Sequence, residues 1–153
     1  MQRLFFSLKF SPRQQQQLLP YQQQALNVCP GAKAVASDNL HLTLFFLGQV
    51  NTEQQQQLIG AAEQINLSRF SLTLDTLSCF VKPKILYLAP SKVPAALLQL
   101  QRQVAALCTA LGFSEVHDVY RPHVTLARQA VCPTAGYQPA TPLTLQVREF
   151  ALY

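Results

Sequence analysis

The chain has 153 residues, 49% hydrophobic and 12% charged, with a formal net charge of +5. That length fits one domain, residues 1–153, with a substantial buried core, and the composition excludes a disordered chain. No apolar run approaches the ~18 residues of a membrane-crossing helix, and Met1 to Phe10 meets charge too early for a signal-peptide core, so a cytoplasmic protein with no membrane role is expected.

In chain order, residues 3–10 read as a strand and 12–27 as a polar helix that Pro20 interrupts. A strand over 41–47 follows. Thr52 is the expected N-cap of a helix running to Ile65, with Glu53 in its first turn favouring the helix dipole. Residues 70–74 and 85–88 read as strands. Over 93–111, Leu97, Leu100, Val104, Leu107, Cys108 and Leu111 recur near the helical period, with Gly112 as the stop. Strands over 123–127 and 143–153 complete the chain. Strand-like and helix-like segments thus alternate twice, which predicts an α+β fold: two pseudo-symmetric lobes of sheet and helix facing a central cleft. The glutamine runs at 14–17, 22–24 and 54–57 fall in helical stretches and read as solvated surface.

Two of the three histidines open the same phrase, His41-Leu42-Thr43-Leu44 and His123-Val124-Thr125-Leu126. With nine threonines in the chain, two of three histidines followed by Thr at the second position would arise by chance about 1 time in 100. Side chains alternate along a strand, so His41 and Thr43 share one face while Leu40, Leu42, Leu44 and Phe46 share the other. The same alternation sets His123 and Thr125 over a core layer of Val124 and Leu126. Each strand therefore buries one face and presents an imidazole beside a hydroxyl on the other. His117 lacks the threonine and sits in the loop-like run from Ser114 to Asp118, so it reads as a surface residue.

Two imidazoles with pKa near ~6.5 can serve at once as base and acid, one neutral and one protonated. Hydroxyls beside them can hydrogen-bond non-bridging phosphate oxygens and hold phosphorus between the rings. The chemistry that fits is metal-free phosphoryl transfer. No His-x-x-x-His spacing occurs, no carboxylate stands beside either motif, and no Gly-rich Lys-Ser/Thr loop is present for ATP, so neither a metal nor another cofactor is expected. Cys29, Cys79, Cys108 and Cys132 lack ligand spacing and read as free thiols in a reducing compartment. The net positive charge and a pI near 9.2 suit an anionic partner.

The doubled His-x-Thr-x motif resembles that of the 2H phosphoesterase superfamily, and within it the bacterial RNA 2′,3′-cyclic phosphodiesterases, also known as 2′-5′ RNA ligases. Arg3-Leu4-Phe5-Phe6, Asp38-Asn39-Leu40, Phe45-Phe46-Leu47-Gly48, Arg121-Pro122 and Glu149-Phe150-Ala151-Leu152-Tyr153 extend the resemblance over nearly the whole chain. This sequence departs from the family pattern in two places: members usually continue past that last segment into one more short strand, whereas the sequence stops at Tyr153, and Tyr87 stands in a stretch where many relatives carry tryptophan. The resemblance implies hydrolysis of 2′,3′-cyclic phosphate at RNA 3′ ends, or on small cyclic-phosphate nucleotides, by a monomer. The product would be a 2′-phosphate, with His123 as general base on water and His41 as general acid to the leaving 3′ oxygen. It also implies a phosphate contact for Arg128. Simple alternation puts that residue, five after His123, on the wrong face, so a bulge or the strand's end must turn it inward. Tyr87, Phe6, Lys84 and Arg121 have two readings that stand equally: stacking on a base or guiding a backbone, and ordinary core packing or surface charge. The alternative is an RNA-end-binding module without turnover, although a pure binder has no use for two proton-transfer groups.

Overall fold

The computed structural model describes residues 1–115, 119–131 and 138–153. Its elements are β1 (Gln2–Leu8), α1 (Pro12–Val28), β2 (Lys33–Ala34), a 3-10 turn (Ser37–Asn39), β3 (Leu42–Val50), α2 (Thr52–Ala62), β4 (Phe70–Phe80), β5 (Ile85–Ala89), α3 (Ala95–Ala110), β6 (Val124–Arg128), β7 (Gln138–Val147) and β8 (Phe150–Leu152). The strands form one eight-stranded antiparallel sheet in the order β7-β4-β5-β6-β3-β1-β8, with β2 also on β6. The α+β expectation holds. The region expected as one closing strand is instead two, β7 and β8, on opposite edges of the sheet. Only Arg148 and Glu149 separate them, so the sheet curls until its ends lie within roughly 10 Å.

Local chemistry explains the helix ends. Ser11 caps α1 in a reciprocal box with Gln14, and Pro12 occupies the first turn, where its missing N–H costs nothing. Pro20 does not interrupt the helix. Its exposed ring forfeits one backbone bond, and the buried face of Leu18, Gln22 and Ala25 keeps the turns together. The cap of α2 is Asn51 rather than Thr52, because the Asn51 side chain accepts the Gln54 N–H at 2.7 Å while Gln54 accepts the Asn51 N–H at 2.9 Å.

Two β-α-β units, β1-α1-β3 and β5-α3-β6, lie side by side with β3 and β6 as neighbours. Leu8, Leu42, Val124 and Leu88 form one register row across β1, β3, β6 and β5, and all four are fully buried. Each helix packs beneath the other unit's inner strand: α1 under β6 and β5, α3 under β3, with α2 against α3. The units are thus interlocked.

Free thiols are found at Cys29 and Cys108, both buried, and burial pushes the Cys108 thiol up to about 12, which keeps it protonated and inert. Cys79 departs from the expectation and is disulfide-bonded. Its place at the end of β4 is set by pairing distant in sequence, which cysteine spacing does not reveal. Cys132 and His117 lie outside the described residues. Among those residues, no helix is long and apolar enough to cross a membrane.

Candidate active site

The two motifs meet where the units join. Leu42 pairs with Val124, so one step along the antiparallel register sets His41 across from Thr125 and Thr43 across from His123. Leu42 and Val124 point into the core, which leaves the two histidines and two threonines together on the opposite face of the sheet. Diagonal neighbours in such a ladder stand about 7–8 Å apart, a span into which one phosphate group fits between two rings.

Each histidine is oriented in the same way. Nδ1 of His41 lies 2.6 Å from the Asn39 carbonyl, and Nδ1 of His123 lies 2.7 Å from the Arg121 carbonyl. A carbonyl only accepts, so Nδ1 carries a proton in both rings, and Nε2 is the nitrogen that holds the lone pair when the ring is neutral. Thr43 Oγ1 lies 3.1 Å from His41 Nε2 and can donate to it. The supporting segments are tied down from several directions. Gln15 of α1 donates to the Asp38 carbonyl at 3.2 Å, buried Ser7 donates to the Leu42 carbonyl at 2.8 Å, and the Tyr120 hydroxyl donates to the Thr43 carbonyl at 2.8 Å.

Aromatic rings flank both imidazoles. Phe5 stacks on His41 with centroids 4.7 Å apart, and Phe46 and Tyr153 lie 5.6 and 5.7 Å from Phe5. On the other unit Phe80 and Tyr87 stack at 4.2 Å and turn edges toward His123 at 5.1 and 5.6 Å. Of the two readings open to it, Tyr87 is placed by this contact beside the motif face. For Phe6 the core reading holds, since it is 1% exposed. Sequence reasoning missed Phe5 and Phe80. The alternation of Leu4, Phe6, Leu8 and Phe10 carried the signal for Phe5, since it sets that ring on the other face. Phe46, expected in the core, is 52% exposed beside Phe5.

Bulges explain both Phe46 and Arg128. In β3 the pairing steps from Ser7–Thr43 to Phe6–Phe45, passing over Leu44; in β6 it steps from Tyr87–Thr125 to Leu86–Ala127, passing over Leu126. Leu44 and Phe45 are consequently both buried, as are Leu126 and Ala127, and the next residue of each strand is returned to the motif face. Arg128 reaches that face by this bulge and lies close enough to His41 for its charge to disfavour the imidazolium. Lys84 is exposed with φ 56° in the turn before β5, and Arg121 is exposed while its carbonyl holds His123.

A groove of about 490 Å³ opens beside His41, lined by Phe5, Tyr153, Lys33, Asn39, Arg128 and Gln129 among others. It opens where the chain leaves β6 after the Val35 N–H bond to the Leu126 carbonyl and rejoins it at Leu42–Val124, and the intervening turn forms one wall. Thr43, Thr125 and His123 do not line it. The groove therefore approaches the motif square from the His41 side.

Burial is the largest influence on His41 and lowers its pKa. The Asn39 carbonyl raises it, the nearby Arg128 lowers it further, and the net direction is down. His41 is accordingly neutral at pH 7 in the free protein. Because the folded pKa lies below the unfolded value near ~6.5, the unfolded chain takes up this proton more readily, so the linked stability is present above that pH and is lost as pH falls through the folded value. His41→Gln is expected to flatten that part of the curve. Urea midpoints of parent and variant between pH 8 and 5 test this, and parallel curves would show that His41 has no such linkage.

A square of two histidines and two threonines across adjacent antiparallel strands, in two interlocked β-α-β units, is the arrangement of a 2H phosphoesterase. The family model of the 2′-5′ RNA ligase superfamily matches residues 22–153, and the chain belongs to that superfamily. It is 32% identical over 153 residues to the RNA 2′,3′-cyclic phosphodiesterase of Escherichia coli strain K12, covering 99% of this chain and 86% of that protein. The crystal structure of E. coli LigT complexed with 3′-AMP superposes with a TM-score of 0.87 at 30% identity, covering 99% of this chain and 87% of that one. LigT complexed with phosphate superposes with a TM-score of 0.80 at 29% identity, covering 99% and 86%.

Proposed function

We propose that this protein is an RNA 2′,3′-cyclic phosphodiesterase that opens the cyclic phosphate at an RNA 3′ end, or on a small nucleotide, to leave a 2′-phosphate. The observation that carries the reading is the square of His41, Thr43, His123 and Thr125, with both Nδ1 atoms held by carbonyls so that both Nε2 atoms serve the reaction. Relatives named for this activity support the substrate class.

In this mechanism the cyclic phosphate sits between the rings, with its non-bridging oxygens on Thr43, Thr125 and Arg128. His123 takes the proton of an attacking water, phosphorus gains that oxygen, the bond to the 3′ oxygen breaks, and His41 protonates the leaving 3′ oxygen. This division of roles follows the family. His41 must then be protonated before the bond breaks, whereas burial and Arg128 keep it neutral in the free protein. The negative charge of the bound phosphate, beside His41 and paired with Arg128, works in the opposite direction, so substrate binding itself loads the acid. With a 5′-hydroxyl in place of water the same displacement, the 3′ oxygen again leaving with a proton from His41, would join the 2′,3′-cyclic end to that 5′ oxygen through a 2′-5′ bond.

The test is incubation of the purified protein with an oligoribonucleotide ending in a 2′,3′-cyclic phosphate. A 2′-monoester product is expected, at a rate unchanged by EDTA. Among the described residues no three His, Cys, Asp or Glu side chains come together, and both proton transfers are assigned to imidazoles. A 3′-monoester product would overturn the assigned leaving group. Turnover lost in EDTA and restored by a divalent ion would overturn the metal-free mechanism.

A further inference from the structure

We propose that Gln22 and Gln101 are positioning residues: each clamps the bulge in the other unit's motif strand, and Gln22 thereby holds Arg128 on the catalytic face. This rests on the reading of Arg128 as a phosphate contact of the site. Both glutamines are buried, at 8% and 9% exposure, and both come from helices that pack beneath the opposite unit. Gln22 Nε2 donates to the Leu126 carbonyl at 2.9 Å and to the Val35 carbonyl at 2.6 Å. Gln101 Nε2 donates to the Leu44 carbonyl at 3.3 Å. Leu126 and Leu44 are the residues that the β5–β6 and β1–β3 registers pass over; on its other side the Leu126 carbonyl also accepts the Val35 N–H at 3.0 Å. In both units a helix glutamine donates to the carbonyl of the bulged residue, at Leu126 as a second donor beside the Val35 N–H, which ties the bulge to the helix beneath it.

The two clamps are equivalent in the pseudo-symmetric fold and run in opposite directions, α1 to β6 and α3 to β3. Their effect on function passes through the residue two positions after the clamped carbonyl. Without the bulge, alternation would turn Arg128 toward the core face, away from the motif square, where its charge has no partner. With the bulge fixed by Gln22 and by the Val35 N–H at 3.0 Å, Arg128 stands beside His41. Gln101 secures the equivalent bulge that brings Phe46 out beside Phe5.

The experiment is a double-mutant cycle of Gln22→Met, which keeps shape and removes both donors, with Arg128→Ala. Two readouts are taken: kcat/KM on the cyclic-ended oligoribonucleotide, and the NMR titration of the His41 ring in the free protein. Gln22→Met is expected to lose about tenfold, Arg128→Ala about 10- to 150-fold, and the double variant to match Arg128→Ala within about twofold. His41 is expected to titrate at higher pH in both single variants, since each removes the arginine's charge from its side. Gln22→Asn keeps the amide but is too short to reach, and it should repeat the coupling if the methionine variant does not fold. Losses that multiply, or a His41 titration unmoved by the Gln22 variants, would overturn the proposal. A parent protein inactive on the oligoribonucleotide would refute the assigned function, while the His41 titration would still decide the role of Gln22.

Discussion

His41→Ala and His123→Ala are each expected to lose on the order of 10² to 10⁴ in kcat/KM on the cyclic-ended oligoribonucleotide, while remaining folded. The expectation follows from geometry that both rings share: Nδ1 is committed to a carbonyl, both residues stand on the motif face across adjacent strands, and no other proton-transfer group belongs to either motif. The double variant should lose far less than the product of the two, because a proton accepted from water is of little use unless another reaches the leaving oxygen. The parent enzyme should show a bell-shaped pH profile, falling on the acid side as the base protonates and on the alkaline side as the acid deprotonates. Full activity in either single variant, with circular dichroism unchanged, would leave the repeated motif without its role. The binding-module reading would then stand first.

Thr43→Val and Thr125→Val carry the next largest expected effect. Valine keeps the β-branched shape that suits a strand and removes one hydrogen bond to a charged oxygen, a loss of about 1.5–3 kcal/mol, or roughly 10- to 150-fold in kcat/KM. Both hydroxyls are half-buried on the motif face rather than in the core, so thermal midpoints should move little. At position 43 the change also removes the contact to His41 Nε2, and that variant should therefore show the altered His41 titration that Thr125→Val does not. Kinetics unchanged in both would reduce these threonines to strand formers.

The motif square was legible in the sequence because it depends on the shortest periodicity a chain can carry. His41 and Thr43, or His123 and Thr125, share a face through nothing more than alternation over three residues. The requirement for a bulge before Arg128 was legible by the same rule, as a contradiction between its position and its expected role. The bulge after Thr43 was not, because nothing marked Phe46 as misplaced; the apolar run from Leu44 to Leu47 reads equally well in either register. The glutamine runs are largely the solvated helix surface expected, with Gln16, Gln17, Gln23, Gln24, Gln56 and Gln57 exposed, but Gln22 was misread for a related reason. Composition treats Gln22 as one of a solvated set, whereas its contact with the Leu126 carbonyl spans 104 residues of chain and leaves no local trace. Gln15 and Gln14 likewise bind backbone at Asp38 and Gln146. The extent of β4, expected over 70–74 and found to run to Phe80, depends on pairing with β7 and β5, so its length is a property of the sheet more than of the segment.

The exchange of helices between the two units has a consequence for how the protein comes into being. β3 is synthesised early, yet the glutamine that satisfies its bulge lies 57 residues further on in α3, and α1, made before β3, waits for β6 near the end of the chain. Neither motif is finished by its own half. A nascent chain that has passed β5 already contains His41 and Thr43 but lacks both the neighbouring strand and the helix that fix them, so reactive geometry arises only when the last third of the polypeptide docks. Such long-range closure favours slow, all-or-none folding, and it means that a gene cut between α2 and β4 would yield two fragments, each holding the other's missing support.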